Sequence, residues 1–179
     1  MRRKDKGLYV AIEGISGAGK TRQCEKLVAS LSRVGHKVLG LKEPHIEAIR
    51  AFLYHPRGEI EADVEALIFA VDRLIQQRRV VIPALDRKRI VISDRSVYAS
   101  LAYQGARGLA ESYIRYVNRS VRFPDRVILL DISPEEGLKR IRLIGRGLSR
   151  FENPSFMAKV RQEFLDLAKR ERRKFRIID

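Results

Sequence analysis

The chain has 179 residues, of which 45% are hydrophobic and 33% charged. This composition fits one globular domain with a full core and excludes a disordered chain. Lys and Arg outnumber Asp and Glu by 37 to 22, a net charge of +15 that favours anionic partners and leaves most basic residues on a solvated surface. No apolar run reaches the roughly 18 residues that a membrane-spanning helix needs.

The basic start Arg2-Arg3-Lys4 enters a short apolar run that carries an acid and leads into a glycine loop, unlike a secretory leader. Cys24, the single cysteine, has no internal disulfide partner, which points to a reducing cytoplasm. Arginine greatly outnumbers lysine, a hint of a thermophilic source. In chain order, β-branched apolar runs predict buried strands at 8–12, 38–41, 89–92, 126–130 and 176–178. Periodic stretches predict helices at 19–34, 61–85, 109–121, 134–144 and 154–173. This alternation predicts an α/β fold, a parallel sheet covered on both faces, in one domain spanning 1–179. Ser133-Pro134-Glu135-Glu136 reads as a helix start, with Ser as N-cap, Pro first and acids in the first turn. The segment from Ile144 to Asn153 breaks the period and reads as a mobile basic loop with Gly145, Arg146, Gly147 and Arg150. His36, His45 and His55 lack metal-ligand spacing, so no structural metal is expected, and Cys24 is expected to pack rather than react.

Gly14-Ile15-Ser16-Gly17-Ala18-Gly19-Lys20-Thr21 matches G-x-x-x-x-G-K-[ST] without a gap, directly after the first strand and opening the first helix. Glycines let successive N–H groups turn inward around a phosphate, and the helix N-terminus adds a favourable dipole. Lys20 then reaches the β- and γ-phosphates and the Thr21 hydroxyl binds Mg²⁺. This motif implies nucleotide phosphate binding without naming the reaction. Asp94-Arg95-Ser96 follows the third strand at its carboxyl end, where ligands of open α/β sheets sit. Asp94 there can hold Mg²⁺ directly or through water, and Arg95 can clamp a phosphoryl group; a surface salt bridge is the other reading.

On the long helix predicted before the third strand, Ile60, Val64, Leu67, Ile68, Val71, Leu74 and Ile75 form an apolar stripe with a period of about 3.6. Phe69 and Arg73 lie off it, one turn apart and roughly opposite its centre. An exposed Phe69 needs a cover. A stacked nucleobase with Arg73 bonding its edge supplies one; a neighbouring loop or dimer partner is the alternative.

Taken in order, these motifs resemble those of the thymidylate kinases. Glu13-Gly14 through Thr21 resembles E-G-x-[DE]-G-x-G-K-[ST], and Glu43-Pro44 the family's E-P segment. Leu67-Ile68-Phe69-Ala70-Val71-Asp72-Arg73 is similar to L-F-A-A-D-R. Asp94-Arg95-Ser96 through Tyr103-Gln104-Gly105 resembles D-R-[YHS]-x-x-S-x-x-A-Y-Q-G. Pro124-Asp125 to Arg140 resembles P-D-x-x-x-x-L-D-x-x-P-E-x-x-L-x-R. The resemblance implies a three-layer α/β/α P-loop fold with strand order 2-3-1-4-5, MgATP as donor, dTMP as acceptor and a homodimer. It implies that Gly14 to Thr21 bind ATP, and that Lys20 and Arg95 hold the transferred phosphoryl group. Ser16, Glu43, Phe69, Arg73, Arg95, Ser100, Tyr103 and Gln104 would hold the acceptor, with Tyr103 near the sugar 2′ position. Gly17 stands where some members carry the catalytic arginine, so a lid at about 143–153 would supply it from Arg142, Arg146 or Arg150.

Three departures stand out. Ser16 replaces the family's Asp or Glu, a weaker partner for the acceptor sugar. His45-Ile46-Glu47 replaces Gly-Gly-Thr in a shorter loop, and the sequence reaches Ile177-Ile178-Asp179 where the family continues into a loop and helix that help hold adenine. Two other functions remain in view. One is a deoxynucleoside kinase, with Glu43 deprotonating a 5′-hydroxyl. The other is a basic P-loop protein that binds nucleic acid without kinase turnover, which the +15 charge leaves open although no nucleic-acid-binding module is recognisable.

Overall fold

The computed structural model describes residues 7–54, 60–145 and 149–179. His55, Arg146 and Gly147 lie outside the described residues. Five strands, β1 (Leu8–Glu13), β2 (Val38–Lys42), β3 (Ile90–Asp94), β4 (Arg126–Leu130) and β5 (Phe175–Ile178), form one sheet in the order β2-β3-β1-β4-β5. Every neighbouring pair is parallel, so all five carboxyl ends lie on one edge. This is the three-layer α/β/α arrangement and strand order expected.

Period-two alternation decides which helix covers which face. Val10, Ile12 and Ile92 pack with Cys24, Leu27 and Val28 of α1 (Lys20–Arg33). Their neighbours Tyr9 and Val91 turn to the opposite face and meet Val81, Ala84 and Leu85. Beyond β1 on that second face, Val127 and Leu129 of β4 pack against α5 (Val97–Gly105) and α8 (Pro154–Arg170), through Tyr98, Leu101, Val160 and Phe164 among others. Ser133 caps α7 (Pro134–Leu143) as read, its side chain accepting from the Glu136 N–H at 3.2 Å.

Three readings change. The helix expected over 61–85 is α3 (Ala62–Gln76), a π-helical turn (Gln77–Val81) and α4 (Ile82–Asp86). Pro83, with no N–H to donate, sits where the regular ladder resumes. The helix over 109–121 is shorter, α6 (Glu111–Val117), while α2 (Glu47–Leu53) and α5 were not anticipated. The largest correction concerns α3. Val64, Leu67 and Val71 of its apolar stripe are 40%, 46% and 52% exposed. The inward face instead carries Glu65, Ala66, Ala70, Asp72, Arg73 and Gln76. That face borders a cavity and is held by polar bonds. Asp72 accepts from the His45 and Ile46 amides at 2.7 Å each, and Gln76 donates to the Lys42 carbonyl at 3.0 Å.

Candidate active site

A cavity of about 1270 Å³ opens at the carboxyl edge of the sheet, and the glycine loop, β3's end, α3, α5 and the α7–α8 connection line it. The donor side is built by the loop between β1 and α1. Gly14, Gly17 and Gly19 all have positive φ, which glycine adopts at no steric cost and which suits a loop whose amides cradle an anion. Gly17 also touches a second element: a Cβ built there falls 2.2 Å from the Gly137 carbonyl oxygen of α7. A side chain at Gly17 would therefore require the loop and α7 to move apart.

Lys20 Nζ donates to the Ile15 carbonyl at 2.8 Å. Burial, reinforced by the like charge of Arg95, pulls its ammonium down to about 7 against the attraction of Asp94 and Glu13. Thr21 Oγ1 donates to Asp94 Oδ2 at 2.5 Å, while Asp94 Oδ1 is buried without a hydrogen-bond partner among the described residues. Two hard oxygens side by side, one unsatisfied, fit a Mg²⁺ ion or its water. Next to them, burial raises the Glu13 carboxyl to about 8, although Ser96 donates to Oε1 at 2.7 Å. Arg95 holds φ at 77°, a left-handed conformation rare for a side chain with Cβ. Its guanidinium lies 4.9 Å from the Tyr103 ring centroid, inside the cavity.

The acceptor side is polar at its floor and aromatic at its walls. Arg73 is 1% exposed, and its Nε donates to Glu43 Oε2 at 2.9 Å. Nη1 donates to Asn118 Oδ1 at 2.6 Å, and Nη2 to Ser100 Oγ at 3.1 Å and the Ser96 carbonyl at 3.3 Å. A guanidinium carries five N–H donors, so one on Nη1 has no protein acceptor among the described residues. Gln104 Oε1 is likewise buried without a partner, and its side chain lines the cavity. Phe69 is half-buried and lines the same cavity, as do Ser16, Glu43, Ser100 and Tyr103.

Several lining or supporting residues were not singled out by sequence. Arg50 of α2 enters the cavity with Nη2 donating to the Pro44 carbonyl at 2.6 Å. Its signal was a lone basic residue on an unanticipated helix. Tyr54, Glu65 and Phe151 also line the cavity, and Asn118 anchors Arg73 from the end of α6. Of the basic residues in and before the α7–α8 connection, Arg142 is exposed at the end of α7. Arg150 is bonded at the cavity wall without lining the cavity itself: Nη2 donates to Glu65 Oε1 at 3.1 Å.

A P-loop at one end of a cavity and a buried, bonded arginine at the other, on this sheet order, define a P-loop phosphotransferase. Residues 12–179 match the family model described as thymidylate kinase. The chain is 38% identical over 172 residues to a probable thymidylate kinase of Pyrococcus horikoshii, covering 91% of this chain and 83% of that one. It is 38% identical over 187 residues to a thymidylate kinase of Syntrophotalea carbinolica, covering 96% and 87%. The crystal structure of thymidylate kinase from Ehrlichia chaffeensis superposes with a TM-score of 0.80 at 27% identity, covering 96% of this chain and 92% of that one. The chain belongs to the thymidylate kinase family.

Proposed function

We propose that the protein transfers the γ-phosphate of ATP to dTMP, giving dTDP and ADP. The observation that carries this is one cavity with a phosphate loop at one end and Phe69 with Arg73 at the other. Transfer between phosphates needs positioning and charge neutralisation more than acid–base chemistry. Lys20 and the loop amides of Gly14 to Thr21 hold the donor phosphates. Thr21 and Asp94 would hold Mg²⁺, which when bound would neutralise charge on the donor phosphates. Arg95, directly after β3, and Arg50 of α2 line the cavity and would face the acceptor phosphate. The thymine stacks on Phe69 and takes the free Nη1 hydrogen of Arg73, with Ser100 and Gln104 beside it and Tyr103 under the sugar. Glu43 is spent on Arg73, bonded through Nε and Nη2, which leaves it poorly placed to serve as a base on a nucleoside 5′-hydroxyl. The segment 143–153 acts as a lid, and Arg142 and Arg146 supply the charge that Gly17 cannot.

The exposed row Val64, Leu67 and Val71 on α3 supports a homodimer in which a second copy covers it. We place the enzyme in the cytoplasm on the strength of its single free cysteine and its nucleotide substrates.

A panel of nucleoside monophosphates with MgATP, read by ADP release, tests the function. dTMP is the preferred acceptor, and Phe69→Ala raises its KM by one to two orders of magnitude, in line with the roughly 1–3 kcal/mol of a base–aromatic stack. AMP as best acceptor, a nucleoside phosphorylated in place of dTMP, or unchanged KM values in Phe69→Ala would each overturn it.

A further inference from the structure

Glu65 is a buried carboxylate on the cavity wall that the phosphoryl-transfer machinery does not use. It is 0% exposed, on the inward face of α3. Two arginines from separate parts of the chain meet it. Arg107, after α5, bonds Oε2 and also donates to the Ile60 carbonyl at 2.6 Å. Arg150, from the α7–α8 connection, bonds Oε1 at 3.1 Å and reaches the Leu53 carbonyl at 3.4 Å. Burial pushes the Glu65 carboxyl up, and the two guanidinium charges pull it back towards the ionised form.

The residue after Arg150 is where this matters. The Arg150 guanidinium lies 4.6 Å from the Phe151 ring centroid. Phe151 is buried and lines the cavity, edge-on to Tyr54 at 5.8 Å and to Tyr103 at 5.9 Å. Tyr54 ends α2 and Tyr103 belongs to α5, so Phe151 closes an aromatic wall that those helices leave open. An aromatic ring in a connecting segment keeps one position only if something fixes the backbone beneath it. Here Arg150, tied to the buried Glu65 carboxylate and to a carbonyl of α2, does so together with the Ser149–Glu152 turn, in which the Ser149 N–H donates to Glu152 Oε2 at 2.6 Å.

We propose that Glu65 and Arg150 are positioning residues for the acceptor: the pair pins the C-terminal stem of the lid to α3 and so holds Phe151 as a wall of the dTMP site. Arg150 then acts through Phe151 and does not touch the transferring phosphate. The inference rests on the acceptor reading given above. It makes the stem of the lid part of the acceptor site, present before ATP arrives.

The test is dTMP affinity without donor, measured by calorimetry on the full chain, alongside steady-state constants. Arg150→Met removes the lid's arm and leaves Glu65 paired with Arg107, so the fold is retained. Expected are a tenfold or greater loss of dTMP affinity in the absence of ATP, a matching rise in KM for dTMP, and KM for ATP and kcat within about threefold of wild type. Arg150→Lys, which keeps one charged bond to Glu65, recovers part of the affinity. Glu65→Gln weakens dTMP binding in the same direction. A kcat loss of a hundredfold with unchanged dTMP affinity would place Arg150 on the phosphate and overturn the proposal. Unchanged constants in Arg150→Met would overturn it equally. If the wild type fails to bind or phosphorylate dTMP, it is the acceptor reading that fails.

Discussion

Replacing Arg73 by Met tests how the acceptor floor is held. Arg73 and Glu43 are both buried and bonded through Nε and Nη2 of the guanidinium, with Nη2 2.8 Å from Oε2. Methionine fills much of the volume but leaves Glu43 buried without its cation and Asn118 Oδ1 without its donor. Breaking one partner of a buried pair costs about 3–5 kcal/mol, because the remaining charge keeps its desolvation penalty. In a chain of this size each kcal/mol moves the melting temperature by roughly 2–4 °C, so a fall on the order of 10 °C is expected. Circular-dichroism melts and urea titrations of Arg73→Met, Glu43→Gln and the double variant measure it. The double variant should lose about 2 kcal/mol less than the sum of the singles, since both remove the same interaction. Strict additivity, or an Arg73→Met variant melting within about 2 °C of wild type, would refute the view that this pair is a coupled buried unit.

Other outcomes follow from the loop and its surroundings. Gly17→Ala adds a Cβ at a φ of 80°, 2.2 Å from the Gly137 oxygen. It should cost more than the roughly 1–2 kcal/mol of the left-handed conformation alone and weaken ATP binding; a wild-type melting temperature would show that the loop and α7 can part freely. Burial raises the Glu13 carboxyl from 4.5 to about 8, so the folded chain keeps a proton that the unfolded chain releases. Stability attributable to this group is therefore intact below 4.5 and falls as pH rises from 4.5 towards 8. Glu13→Gln should lack that fall, and the gap between the two stability curves should widen by a few kcal/mol across the window; parallel curves would show that Glu13 is ionised in the fold. Ser16→Asp places a carboxylate in the cavity and should lower KM for dTMP by strengthening a hydrogen bond to the sugar; an unchanged or raised KM would place the sugar away from residue 16.

The phosphate loop, the five strands and several of their covering helices, though not α2 or α5, were legible because each depends on neighbours in sequence. Glycine at 14, 17 and 19 takes a positive φ without the cost of a Cβ, and β-branched runs favour extended backbone on a half-buried sheet. The motif order also named the family. What tertiary structure alone decided is direction. Periodicity shows that α3 has an apolar stripe and an opposite face carrying Phe69 and Arg73; it does not say which one faces in. The structure turns Val64, Leu67 and Val71 outward, because the inner face must hydrogen-bond the amides of His45 and Ile46 and the carbonyl of Lys42. Arg150 shows the same limit. A basic residue in a glycine-bearing segment reads as a phosphate ligand; that its carboxylate partner in the fold is Glu65, 85 residues away in sequence, is not legible there. Helix and strand arise from short-range repetition that a sequence displays, whereas the burial of a charge depends on which distant partner the folded chain brings to it.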